Sequence, residues 1–166
     1  MVTFQKKYAH ACTELDDFLA PLSEAQLSGP SDAMGWTLKD HIAHLADWQA
    51  GMTALLKKKD RWAAMDLAGP PVGHNQAAYD VALHARHIGK SAKQVLSYLR
   101  RTQKRFDEAI SALSDADLRR PYAWYDPSGD PVKPVEVWLD HNTWEHYAEH
   151  IAWMKQILID DLAGRK

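Results

Sequence analysis

The chain lacks the features that announce many protein classes: it has a single cysteine, no long apolar run, almost no net charge and little strand-like alternation. One thiol, Cys12, excludes an intramolecular disulfide framework and suits a reducing compartment. It falls at the edge of an apolar helical stripe with no basic cluster beside it, the setting of a small packed thiol rather than a nucleophile. The stretch MVTFQKKYAHACTELDDF has no h-region, and no window approaches the length of a membrane span, so a cytoplasmic protein without membrane contact is expected. A formal net charge of -2 argues against a nucleic-acid binder. The basic run Lys57-Lys58-Lys59-Asp60-Arg61 reads as a solvated helix end.

What is present is ordinary globular material: 166 residues, 46% apolar and 25% charged, enough for one core and read as a single domain over 1–166. Phe4, Tyr8, Ala11, Leu15, Phe18 and Leu22 recur at the spacing of one helix face, and Pro21 closes that segment. Thr37 and Asp40 suit a capping box for a second helix, with Leu38, Ile42, Leu45, Trp48, Met52 and Leu56 facing inward. LAGPPVGHN breaks the chain, QAAYDVALHARHI reads as a short connecting helix, and Ser91 with Gln94 starts a third long helix through Phe106 to Leu113. A long loop, RRPYAWYDPSGDPVK, precedes Pro134 at the head of a last helix reaching Ile159. Period-two alternation is confined to the 122 to 133 loop, so the expected fold is all-α, a four-helix bundle. Leu15, Leu45, Trp48, Leu99, Phe106, Leu139 and Trp153 are expected in its core.

The last helix carries an anomaly. On an uninterrupted wheel, Val135, Leu139, His146, His150, Trp153 and Ile157 share an arc of roughly 60°. Packing gives no reason for imidazole there, because each buried ring brings nitrogens that need partners. One inward histidine is most simply a satisfied core residue; two at i and i+4 converge well enough to hold one ion. The segment is not HExxH, since Glu149 adjoins the second histidine rather than the first, and a metalloprotease reading fails. A third ligand must come from another helix. In KDHIAHLADW, His41 lies nearer the centre of the apolar stripe and His44 at its flank, and periodicity does not separate them.

GWTLKDHIAHLADW (35 to 48) and NTWEHYAEH (142 to 150) together resemble the DinB/YfiT-like superfamily, and within it the ClbS/DfsB-like group of four-helix bundles. HNQAAYD and LSDADL extend the similarity over most of the chain. The resemblance implies a metal triad of His44, His146 and His150, with His41 as alternate or as a partner behind the ligands. Some members of that group lack these histidines; here all three positions keep them.

Three imidazoles without a carboxylate leave a coordination position open for water or a small ligand. Zinc or nickel suits the set best, with iron or manganese also compatible, and affinity is expected to weaken below about pH 6.5 as histidine protonates. The resemblance implies either thiol-dependent transfer or isomerisation, or hydrolysis of a strained ring, on a small reactive molecule, in a protein that often forms homodimers. Trp48, Tyr79, Trp124, Tyr125, Tyr147 and Trp153 are candidate walls of an aromatic pocket, Asn142 a candidate ligand-orienting group, and Glu149 and Asp47 candidate partners for imidazole N–H groups. The competing reading is a non-catalytic bundle that binds a small molecule or dimerises without metal. A DNA-associated role finds no recognition motif.

Overall fold

The computed structural model describes residues 3–69 and 76–164. Residues 70–75, which hold part of the expected chain break and the first two residues of HNQAAYD, lie outside the described residues. The elements are α1 (Thr3–Leu19), α2 (Glu24–Ser28), α3 (Leu38–Leu56), α4 (Arg61–Ala64), α5 (Gln76–His87), α6 (Ala92–Ser111), α7 (Asp115–Leu118), α8 (Val135–Asp140) and α9 (His146–Gly164). A 3-10 turn at Tyr122–Trp124 lies in the long loop, and a π-helical turn, His141–Glu145, joins α8 to α9. No strand occurs among the described residues; two isolated bridges, Ser31 with Thr37 and Pro121 with Pro134, pin loops at their bases. The four long elements α1, α3, α6 and α8–α9 form the bundle, and none is long and apolar enough to cross a membrane.

Local chemistry sets the boundaries. Asp40 accepts from the Thr37 N–H and hydroxyl at 2.9 and 2.7 Å, and Gln94 accepts from the Ser91 N–H at 2.9 Å, so α3 and α6 start at the two boxes read in the sequence. The same device starts α2 at Ser23 and α7 at Ser114; α7 is too short to leave a periodic signature.

α3 is the central element, buried at every position but Ala50, as a helix with neighbours on all sides must be. Phe4, Tyr8 and Leu15 of α1 meet Ile42, Leu45 and Met52 of α3, Leu99 and Phe106 of α6, and Leu139, Tyr147 and Met154 of the last helix. The Tyr8 and Phe106 rings cross edge to face at 4.9 Å. Cys12 is half-buried against this core, and burial pushes its thiol up to about 11, which leaves it a packing residue. Of the expected core residues, Trp153 departs: it is 51% exposed.

Candidate metal centre in an aromatic cleft

The departure of Trp153 has a cause in the π-helical turn. Hydrogen bonds there run from residue i to i+5, so the turn takes more residues per revolution and everything after it is rotated backward relative to an uninterrupted α-helix. Tyr147, Ile151 and Met154 come into register with Leu139 on the core side. His146 and His150 instead join Trp138 and Asn142 on a second face, and that face lines a cleft, with Ile157 of the core at its edge. The side chains brace the turn: Thr143 Oγ1 donates to the Leu139 carbonyl at 2.6 Å, Asn142 Nδ2 to the Trp138 carbonyl at 2.8 Å, and Trp144 Nε1 to Asp140 at 2.6 Å. The histidines point inward, as the wheel predicts, but into a cavity rather than into the core.

Across the cleft, α3 contributes His41, His44 and Trp48. One nitrogen each from His44, His146 and His150 lies within 4.8 Å of the others. His150 Nε2 and His146 Nε2 are 3.0 Å apart, close to the roughly 3.3 Å that two imidazoles sharing one tetrahedral ion would show. The His44 ring stacks on His150 at 4.9 Å and meets His146 edge-on at 5.1 Å. Behind His150, its Nδ1 is 2.9 Å from His41 Nδ1, and His41 Nε2 faces Asp32 Oδ2 at 3.5 Å. Behind His44, Nδ1 faces Asp80 Oδ1 at 3.8 Å.

One proton placement satisfies these contacts together. With His150 Nδ1–H donated to His41, His150 Nε2 keeps its lone pair for the cleft; Asp32 and Asp80 face His41 Nε2 and His44 Nδ1 at 3.5 and 3.8 Å, too far to hydrogen-bond, and favour a proton on those nitrogens by charge alone. Burial drives the His44 imidazole well below its ordinary pKa and His146 down to about 3, and neighbouring imidazoles push both further; His150 is lowered by the same causes. Three neutral, converging imidazoles are the donor set a divalent ion requires, so these residues fit one. The cavity has a volume of about 1220 Å³, with Trp36, Trp48, Trp62, Tyr79, Tyr122 and Trp138 among its walls.

The family model of the mycothiol maleylpyruvate isomerase N-terminal domain matches residues 8–160. The chain belongs to this family. Its fold is that of the DinB/DfsB-like superfamily: a solved structure titled Sibling Lethal Factor Precursor - DfsB superimposes with a TM-score of 0.74 at 16% identity, covering 95% of this chain and 94% of the other. An uncharacterised protein from Escherichia coli UTI89 superimposes with a TM-score of 0.70 at 15% identity, covering 95% and 92%. No curated protein matches the chain by sequence.

Within this isomerase-domain fold, the structure distributes the sequence candidates unevenly. His41, Trp48, Tyr79, Asn142, Glu149 and Trp153 line the same cleft as the triad. The Asn142 amide donates to its own helix, and Glu149 is exposed with no bond to an imidazole. Tyr147 is a correction: the rotation at the π turn buries it completely among Tyr8 and the core, away from the cleft. Trp124 is half-exposed beneath Lys58 and Arg120, and Tyr125 donates to the Asp117 carbonyl at 3.0 Å, so neither lines the cavity. Asp47 serves no metal ligand. It is fully buried on the other side of α3, accepting from Arg86 Nη1 at 3.0 Å, His87 Nε2 at 2.9 Å and Tyr98 Oη at 2.8 Å.

Sequence reasoning missed Trp36, Asp32, Asp80, Arg61 and Tyr122. Trp36 packs its ring 5.3 Å from both His41 and His44 and stacks on His84 at 5.1 Å, roofing the site. It precedes the α3 cap in a loop, where periodicity carries no information. The one available signal was its place in GWTLKDHIAHL.

Proposed function

We propose that the protein is a metal-dependent enzyme of the thiol-transfer or thiol-assisted isomerisation type, acting on a small electrophile. The observation that carries this reading is the convergence of three neutral imidazoles on an aromatic cleft of about 1220 Å³. That volume exceeds the roughly 300–1,000 Å³ of a single small-molecule site and leaves room for a thiol cosubstrate beside a substrate. The name of the matching family, a mycothiol-dependent isomerase, points the same way.

His44, His146 and His150 would hold the ion, zinc or nickel being best matched to imidazole, with iron or manganese also suited. Such an ion keeps a thiol as thiolate, or water as hydroxide, near neutral pH. The protein's own contribution is placement. His41 fixes the ring of His150, Asp32 and Asp80 face the far nitrogens of His41 and His44, and Trp36 covers His41 and His44. The tryptophan and tyrosine walls take an apolar or unsaturated substrate and keep bulk water from the reacting atoms.

The test has two stages. Elemental analysis of the purified protein, with calorimetric titration of zinc and nickel at pH 7.5, should show one ion per chain, lost in His44→Ala and in His146→Ala but retained in His41→Ala. Consumption of a maleimide and of an epoxide is then followed with and without a low-molecular-weight thiol. Turnover that needs both metal and thiol supports the proposal. Turnover of the epoxide without thiol supports the hydrolytic reading, and no metal tighter than about millimolar returns the protein to the non-catalytic class.

A further inference from the structure

Arg61, the first residue of α4, is held by the Asp60 cap, whose Oδ1 accepts from the Trp62 and Ala63 N–H groups at 2.8 and 3.1 Å. Its side chain lines the cleft, yet the residue is only 7% exposed. The guanidinium lies 4.6 Å from the Trp62 ring centre and 5.3 Å from that of Trp48. Nη1 donates to the Tyr122 hydroxyl at 2.7 Å, and Nε has no partner. Among the described residues no carboxylate lies within ion-pair distance of it, whereas Arg86, Arg100 and Arg120 each have one. The residues outside the description include no Asp or Glu side chain that would supply a counter-ion.

None of the six acids lining the cleft pairs with Arg61: Asp80 faces His44 at 3.8 Å, Asp160 accepts from Gln156, Glu149 is exposed, and the other three are held in their own loops. Asp32 accepts from the Met34 and Trp36 N–H groups, Asp126 from Ser128, and Asp130 from Val132 and Lys133, each closing a turn of its own loop. Arg61 is therefore a nearly buried cation with two aromatic faces and a neutral phenol for company. Cation–π contact offsets only part of the cost of burying a charge. The missing component is an anion.

We propose that Arg61 is the anion-binding residue of the cleft and that the ligand it receives carries a carboxylate. This deepens the reading of the cleft as a substrate site but does not require the metal. Guanidinium is planar and forked, a shape that accepts a carboxylate through paired N–H groups. The position of the subsite also constrains the ligand. The Trp48 ring neighbours both Arg61 and the triad, its centre 5.3 Å from the guanidinium, 6.1 Å from the His44 ring and 6.4 Å from the His146 ring. A carboxylate on Arg61 thus sits one indole away from the histidine nitrogens, within the span of a ligand of a few carbons. Trp62 stacks flat on Tyr79 at 4.9 Å, continuing the aromatic wall and favouring a planar, conjugated body between the two ends.

The experiment compares benzoate with benzamide, equal in shape and different in charge, binding to the metal-free full chain at pH 7.5, measured by ligand-observed NMR and tryptophan emission. Benzoate should bind at least about tenfold more tightly. Arg61→Gln should bring the ratio close to one with unchanged far-UV circular dichroism, and His146→Ala should leave the ratio intact. The His146→Ala arm separates failure of this proposal from failure of the metal reading. A wild-type ratio near one overturns the proposal without any variant, as does Arg61→Gln that keeps the preference. Should Arg61→Gln fail to fold, Arg61→Lys carries the test. It keeps the charge and loses the fork, so the ratio should at least halve, and an unchanged ratio overturns the proposal.

Discussion

Acidifying the metal-free protein from pH 7.5 to 5.5 should cost it a large part of its stability, and the triad is the reason. His44, His146 and His150 all have folded-state pKa values pulled down by burial, His146 to about 3. In the unfolded chain each titrates near its ordinary value of about 6.5. Above that pH both states are neutral and nothing is lost. As pH falls below it, the unfolded chain binds protons that the folded site refuses, and stability declines until the folded-state values are reached. Each histidine then costs roughly 1.4 kcal/mol per pH unit, so these three cost about 4 kcal/mol at pH 5.5, and His41, also lowered by burial, adds in the same direction, against a total of about 5–15 kcal/mol for a typical domain. Carboxylates titrate lower and contribute little in this window. With a urea dependence of about 2 kcal/mol per molar, the unfolding midpoint should drop by roughly 2 M between pH 7.5 and 5.5. His150→Leu removes one of the three proton acceptors, and its loss over the same interval should be smaller by about 1.4 kcal/mol. A wild-type midpoint that holds within about 0.5 M would refute the reasoning, because the three rings would then be solvated or already paired. The same depression alters the expectation for metal: near pH 5.5 the ion should be lost through unfolding of the chain rather than through protonation of a folded site.

Asp47→Asn should destabilise the fold by about 3 kcal/mol or more, seen as a lowered thermal midpoint, because Arg86 and His87 would keep their places around a neutral amide; metal stoichiometry should not change. Gly129→Ala should weaken carboxylate binding without touching the triad, since a Cβ at 129 would land inside the Tyr122 ring, whose hydroxyl holds Arg61; benzoate titration checks it. Self-association through exposed apolar residues such as Val137, Ile159 and Leu162 should give a dimer by size-exclusion chromatography with light scattering, and a mass near 18.8 kDa at high concentration would reject it.

The legible part of this molecule was the part governed by period and cap. Helices α1, α3 and α6 follow from single apolar stripes, and two of their starts from Thr37–Asp40 and Ser91–Gln94, because those signals are local. The choice between His41 and His44 was not local. Both face the cleft from α3, and the structure brings His44 to the triad while setting His41 behind His150, a distinction of depth rather than of face. Asp47 read as a candidate partner for a ligand imidazole because its actual donors, from α5 and α6, lie far along the chain. Arg61 looked like part of a solvated basic run because nothing in KKKDR reveals that its fifth member turns inward under Trp62. The π turn left no period signal, since HNTWE holds no glycine or proline to mark a break and its weak helix formers also occur inside ordinary helices.

That turn makes the last helix one residue longer than its register requires. A helical residue advances by about 100°, so removing any one position from the turn and letting it close into ordinary α-geometry would return His146 and His150 to nearly the same bearing they now have. Straightening the helix at unchanged length would swing both rings about a quarter circle toward the core side and dissolve the triad. Identity and spacing are therefore separable in this segment: a relative with an uninterrupted helix should present the same two imidazoles with one residue fewer between them and the core leucine at 139. A gapless alignment to such a relative would set each ligand against its neighbour, and a histidine site present in both chains would go unrecognised in one.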